Sequence, residues 1–376
     1  MTENTRPIRL VFGHNGVDAY DRLFLNRLAL EFDAFLVTFV SPTVVLEGAR
    51  VIKLPDFGRP LRTRRLNNLR IAAGTLWRIL HFRLRVRRIR ARIVIGNWVT
   101  TYGLYASLCG LRPFVLFAYG SDIMVEPYRS FVHRWLTMRV IRSADLVVVD
   151  SEVQRRALLS LGGLPGKTMC FPWIDLKDMS ETVADRTLRN KLNWNDKIVV
   201  VSVRKHEPIY AVDTLIRAIP IVLARSSDVR FMVFGSGTQT SRLIRLAEEL
   251  KAEQFVHFSG TVPRDKLLAH VKGCDIYVST SLSDGTSSSL VEAMVLGVPV
   301  VVTSITGNAE WISDNVNGLM FQEEDSEGLA RIIIDLARNS ANRDRLAAAA
   351  MKHLRERVKW ETASAELIRR MRDLLI

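Results

Sequence analysis

Cysteine is scarce in this chain. The 376 residues contain three, Cys109, Cys170 and Cys274, scattered and odd in number. Their spacing fits no zinc motif and no disulfide framework, so a reducing, cytosolic setting is the expectation. Long apolar runs are missing as well, and none approaches the ~20 residues needed to cross a bilayer. The first ten residues, MTENTRPIRL, lack the charged-then-apolar layout of a secretory signal. The seven histidines form no H-x-x-x-H pair, and no metal-ligating set is assigned.

Acidic residues are absent from Phe57 through Ser121, while twelve arginines fall between Arg59 and Arg92. Residues 1–190 hold 29 Lys and Arg against 16 Asp and Glu, and residues 191–376 hold 24 against 23. The net charge of +14 thus lies almost wholly in the first half. Such a one-sided cluster attracts polyanions: nucleic acid, anionic lipid headgroups or phosphate-bearing substrates. The guanidinium fork suits phosphate oxygens in particular. Helix-turn-helix, zinc-finger and aromatic-interleaved single-strand motifs are absent, which disfavours a nucleic-acid-binding protein.

What is present is a repeated alternation of short apolar strands and helical stretches. Strands are expected at Ile8–Gly13, Ala34–Phe39, Ile93–Gly96, Phe114–Phe117 and Leu146–Val149. The series restarts at Ile198–Val203, Phe231–Phe234, Val256–Ser259, Ile276–Ser279 and Pro299–Thr303. Runs such as Val199-Val200-Val201 and Val300-Val301-Val302 fit strands covered on both faces. The fold class is therefore α/β, two Rossmann-like doubly wound domains facing a central cleft that would hold the ligand. The first domain is placed at 1–176 and the second at 177–359. A C-terminal helix, 360–376, is expected to pack back on the first domain.

The stretch from Ser279 to Glu310 reads STSLSDGTSSSLVEAMVLGVPVVVTSITGNAE. A strand ends in the small-residue loop Ser283-Asp284-Gly285-Thr286-Ser287, and a helix begins near Ser288. Gly285 permits close approach of a ligand to the backbone, and a helix start of this kind suits an anion. Glu292, one turn inside, can accept bonds from vicinal hydroxyls such as those of a ribose. Asp284, at the loop mouth, can grip a sugar hydroxyl. The plainer alternative is that Asp284 and Ser287 cap a helix.

This stretch resembles the signature of glycosyltransferase family 4, a retaining GT-B family. The family pattern is roughly E-G-F-G-x-x-x-L-E-A-M-A-x-G-x-P-V-V. Asp284 and Glu292 stand at the spacing of its two acids, with Met294, Gly297, Pro299 and Gly307 in register. The resemblance implies a hexose-type transfer from a nucleotide-diphosphate sugar, UDP- or GDP-linked, to a lipid-linked or glycan acceptor, with no cofactor. It implies catalytic roles for Asp284, Arg204 and Glu292. Donor contacts would come from Gly13, Gly16, Arg204, Lys205, Gly235, Gly285, Thr286, Ser287, Ser288, Leu290 and Glu292. Tyr119 and Asp122 would meet the acceptor or the donor sugar.

Three departures from the family stand out. The first acid is Asp, the usual Lys after the arginine is Tyr210, and the usual His near the sugar is Tyr119. Lys205, or Arg204 alone, would then supply the charge. No Asp-x-Asp triplet occurs, so cationic side chains and helix amides, rather than a metal, are expected to hold the diphosphate. Other GT-B chemistries, nucleotide-sugar epimerisation or phosphorolysis, are the alternative. The arginines with Trp77, Ile79, Leu80, Phe82, Leu84, Val86 and Ile89 suit a helix at a lipid interface. That points to a cytoplasmic enzyme held peripherally at the inner face of an anionic membrane.

Overall fold

The structure, a computed structural model, describes residues 7–14, 19–42, 44–56 and 64–376. The chain forms two compact units, one of residues up to Trp173 together with Trp360–Ile376, the other Ile174–Lys359. The junction thus lies at 173/174, slightly ahead of the 176/177 expected from the sequence.

Unit 1 runs β1 (Arg9–Gly13), α1 (Ala19–Ala29), β2 (Asp33–Thr38), β3 (Arg50–Lys53), α2 (Arg64–Ile89) and β4 (Ile93–Asn97). A π-helical turn, Trp98–Gly103, leads into α3 (Leu104–Leu108), β5 (Phe114–Phe117) and α4 (Ser121–Met124). A 3-10 turn at Glu126–Tyr128, α5 (Phe131–Ser143), β6 (Leu146–Val149), α6 (Glu152–Ser160) and β7 (Thr168–Cys170) complete it. Among the described residues the sheet has seven strands in the order β3-β2-β1-β4-β5-β6-β7, all parallel. The strands alternate between two buried faces. Val11 enters a core with Phe82 and Val86 of α2, Tyr105 of α3 and Val140 of α5. Leu10 and Phe12 point the other way, onto Phe24 and Leu28 of α1. This double burial explains the continuous apolar runs.

In unit 2 come α7 (Leu176–Ser180), α8 (Thr187–Lys191), β8 (Ile198–Val203), α9 (Val212–Leu223), β9 (Val229–Phe234) and α10 (Thr240–Glu249). There follow β10 (Val256–Gly260), α11 (Arg264–Lys272), β11 (Ile276–Ser279), α12 (Ser288–Val295), β12 (Val300–Thr303) and α13 (Thr306–Ala309). β13 (Leu319–Phe321), α14 (Ser326–Arg338) and α15 (Ser340–Arg357) close the unit. Its sheet order, β10-β9-β8-β11-β12-β13, repeats the doubly wound pattern. In each sheet the order reverses at one point, between β1 and β4 or between β8 and β11. Ligands of such folds bind at that point, beyond the carboxyl ends of the strands.

The last helix, α16 (Trp360–Asp373), belongs to unit 1. Its apolar face, Trp360, Leu367, Ile368 and Met371, is buried with Phe24, Phe171 and Trp173. Arg372 reaches Glu31 at 2.6 Å.

The basic helix α2 corrects the sequence reading in part. Of the apolar residues assigned to a lipid interface, Phe82, Val86 and Ile89 are buried in the core, and Trp77 and Ile79 pack against it. Leu80 and Leu84, with Leu76, face outward instead. The helix must cover the sheet, so only one stripe is left for another contact.

Candidate functional site

The reversal point of unit 2 is bridged by one side chain. Arg204 follows β8, and its guanidinium crosses to the end of β11. Nε and Nη2 donate to Ser279 Oγ at 3.0 and 2.8 Å. The same Nη2 lies 2.9 Å from Asp284 Oδ2 and donates to Ser287 Oγ. The Tyr210 ring packs against the guanidinium, 5.4 Å from carbon to centroid. Burial works against the Arg204 charge, but Tyr277, Asp284 and Tyr210 beside it outweigh that and raise its pKa. Burial likewise pushes the Tyr210 and Tyr277 phenols above their ordinary range. The result is a permanent cation, fixed on four sides, at the mouth of the loop.

Two glycines make room for it. Gly235 adopts φ +120°, and a Cβ there would collide with the Arg204 carbonyl oxygen. Its bareness lets the end of β9 lie against the Arg204 backbone, so Gly235 shapes the arginine's seat. At Gly307 a Cβ would strike the Asp284 carbonyl oxygen, so this glycine lets α13 support the loop.

The loop ends in a true cap. Ser287 Oγ accepts from the Leu290 amide at 3.4 Å, and Leu290 is itself fully buried. The capping and anion-site readings therefore coincide at Ser287, but Leu290 serves the core and the cap. Ser288 lies exposed at the start of α12, and Gly285 and Thr286 lie partly exposed on the loop. Glu292 is 7% exposed, and Oε1 accepts from Arg264 Nε at 3.0 Å. Arg264, the first residue of α11, was not picked out from the sequence. A basic residue opening the helix after Gly260-Thr261-Val262-Pro263 was the available signal. Lys205 is exposed, and the Tyr210 ring packs on the Arg204 guanidinium.

In unit 1 the sequence candidates divide. Gly13 ends β1, where a Cβ would meet Tyr102 at 2.8 Å and Phe82 at 2.9 Å. Its smallness serves packing of the sheet. Gly16 lies outside the described residues. Tyr119 follows β5, with its ring stacked between Trp98 and Trp173 at centroid distances of 5.9 and 5.3 Å. Its hydroxyl donates to Asp21 Oδ1 at 3.0 Å, and Asp21 Oδ2 lies 3.2 Å from His14 Nε2. His14, Asp21, Trp98 and Trp173 thus join Tyr119 in one group near the reversal point, of which no periodic pattern in the sequence is a sign. Trp98 carries φ +61°, uncommon for a bulky residue and frequent where a fold stores local strain at a site.

Asp122 is a correction. It is 0% exposed, and its two oxygens accept from the amides of Val99 and Tyr119, both at 3.0 Å. It holds the segments that carry Trp98 and Tyr119 and has no exposed surface. Burial raises its pKa to about 6, against the lowering effect of those two amides.

Residues 184–353 match the family model described as Glycosyl transferases group 1. A relative from Mycobacterium tuberculosis (strain CDC 1551 / Oshkosh), a GDP-mannose-dependent alpha-(1-6)-phosphatidylinositol monomannoside mannosyltransferase, is 26% identical over 306 residues. That match spans 76% of this chain and 77% of the relative. Among solved structures, Anabaena HepE in complex with UDP superposes with a TM-score of 0.75 at 18% identity, over 98% of this chain and 100% of HepE. WaaG, a glycosyltransferase involved in lipopolysaccharide biosynthesis, gives 0.70 at 17% identity, over 95% and 98%. These likenesses carry the fold, GT-B. With the loop of residues 279–310 inside the matched segment, the second half of the chain is similar to the group 1 glycosyl transferases.

Proposed function

We propose that this glycosyltransferase moves a hexose-type sugar, with retention of anomeric configuration, from a UDP- or GDP-linked donor to a lipid-linked or cell-surface glycan acceptor. The observation that carries the reading is the buried Arg204, held by Ser279, Ser287 and Asp284 where the sheet order reverses. A leaving diphosphate placed there meets a preorganised cation and the start of α12, which is electrostatic stabilisation of developing charge. Asp284 pairs with Arg204 through Oδ2. A diphosphate would take that partner's place and leave the Asp284 carboxylate to accept from a donor-sugar hydroxyl. Glu292, oriented by Arg264, would accept from the ribose hydroxyls. Tyr119, in its stack of indoles, would border the transferred sugar or the acceptor.

The names of the relatives favour a glycan or lipid acceptor. The mycobacterial enzyme is named for a phosphatidylinositol mannoside, and WaaG for lipopolysaccharide biosynthesis. Donor base is left between GDP, as that enzyme's name has it, and UDP, as bound in HepE. The arginine excess of the first half supports work at an anionic, cytoplasmic membrane face. The test is thermal unfolding against a panel of nucleoside diphosphates and nucleotide sugars, then proton NMR of the product's anomeric centre. Stabilisation by one nucleotide and a product of the donor's configuration are expected. Indifference to every nucleotide, or an inverted product, would overturn the reading; epimerisation of donor without acceptor would favour the alternative chemistry.

A further inference from the structure

Helix α5 is built like a core helix on one side only. Thr137, Val140 and Ile141 are buried against the sheet. On the other side Phe131 is 82% and Trp135 53% exposed, with Val132 and, from the preceding turn, Tyr128 beside them. Single exposed apolar residues are ordinary, but four large ones on one face mark an interaction surface. Arginines accompany the rings: Arg134 lies 5.7 Å from the Tyr128 centroid and Arg139 5.8 Å from that of Trp135. No acid occurs between Glu126 and Asp145, and Glu126 is turned to Thr100 Oγ1 at 2.6 Å.

The surface continues sideways. α3 exposes Leu108 and forms with α5 a groove of about 670 Å³, walled by Leu104, Leu108, Trp135 and Met138 with Arg139 and Arg142 on it. On its other side α3 packs on α2, whose Leu76, Leu80 and Leu84 face outward at four-residue spacing. All three helices cover the same face of the sheet. The occupant must therefore match outward apolar side chains and, on α5, arginines with no acid on the same helix. A bilayer with anionic headgroups does both, since rings and leucines enter the acyl boundary while guanidinium groups stay at the phosphates.

We propose that the outer face of α5, with the α3 groove, inserts into an anionic bilayer through Tyr128, Phe131, Val132 and Trp135. The arginines Arg134, Arg139 and Arg142 bind lipid phosphates. This rests on the membrane-surface reading above and names the inserting residues, which lie on α5 and the turn before it and not on α2. The position is apt. α5 follows β5 and runs back toward β6, so its first turn lies at the carboxyl edge of the sheet. Thr100 and Glu126 tie that turn to the loop of Trp98. Insertion there sets the Tyr119 group beside the surface that presents a lipid-linked acceptor.

The test uses the full chain in co-sedimentation with vesicles of phosphatidylcholine alone and of phosphatidylcholine with phosphatidylglycerol. The unaltered chain should pellet with the anionic vesicles only, less so at high salt. Phe131→Ser/Trp135→Ser should weaken that partition by about tenfold or more even at low salt, and Arg134→Gln/Arg139→Gln/Arg142→Gln should weaken it and flatten its salt dependence. Nucleotide-induced thermal stabilisation should be unchanged in both variants, which shows that they fold. Wild-type binding by the Phe131/Trp135 variant would overturn the α5 assignment and leave the membrane reading standing. Failure of the unaltered chain to bind either vesicle would overturn both, as would self-association abolished by the Phe131/Trp135 variant, which would make the face a protein interface.

Discussion

At the scale of single residues, the proposed donor chemistry rests on Arg204 and its ion pair with Asp284. Arg204→Ala removes the cation that joins the carboxyl end of β8 to that of β11. Turnover should fall by ~10²–10³, or ~2.7–4 kcal/mol of transition-state stabilisation. Glu292→Ala and Asp284→Ala should also lower turnover greatly while leaving the protein folded. Steady-state rates on the identified donor check this, and near-wild-type rates in all three would remove the site. Asp122 supports a second prediction. Its folded pKa of about 6 exceeds the ordinary 3.8, so the folded state keeps a proton that the unfolded chain releases between those values. That contribution to stability is full below pH ~4 and is lost as pH rises through ~6, on the order of 2–3 kcal/mol. Urea unfolding of the wild type from pH 4 to 7 should show this fall, and the same series on Asp122→Asn should lack it. Parallel curves for the two proteins would refute the assignment.

At the scale of elements, α16 is the piece that sequence distance separates most from its partners. Leu367 and Met371 are fully buried against residues of α1 and the strand ends. Leu367→Ala should destabilise unit 1 by ~2–5 kcal/mol, the usual cost of a core cavity. Nucleotide binding by unit 2 should persist. Denaturant melts with and without nucleotide measure both, and an unchanged melt would show that α16 does not support the core. The same scale explains which elements the sequence displayed. β8 and β12 carry unbroken β-branched stretches, Ile198–Val201 and Val300–Thr303, and were legible. β3, β7 and β13 have three or four residues each, lie at or toward sheet edges and carry no such run. Their place is set by the neighbouring strand's open hydrogen bonds.

At the scale of the molecule, the absence of an Asp-x-Asp triplet and the presence of Arg204 lead to one further expectation. Transfer should survive EDTA if, as proposed, a fixed cation and helix amides neutralise the diphosphate. Loss of activity in chelator, restored by manganese or magnesium, would count against that mechanism. The charge is likewise a property of the whole chain. The second half is nearly neutral and carries the nucleotide-type loop, while the first half carries the excess arginine.

What the sequence alone determined is local or periodic: two doubly wound sheets, the Asp284 to Glu292 loop, the arginine after β8, and the polarity of charge along the chain. Each is written in neighbouring residues, as β-branched runs, a helix start or a spacing of eight. What only the tertiary structure decided joins residues far apart. Arg264 meets Glu292 across 28 positions, Asp21 meets Tyr119 across 98, and Trp360 meets Phe171. No spacing rule reaches across such distances, because the strand order of the sheet decides which loop ends become neighbours. The same cause turned Asp122 from a ligand candidate into a buried anchor, and turned Phe82, Val86 and Ile89 inward. A residue's type states what it can bind, but whether it faces solvent or core depends on which elements cover it.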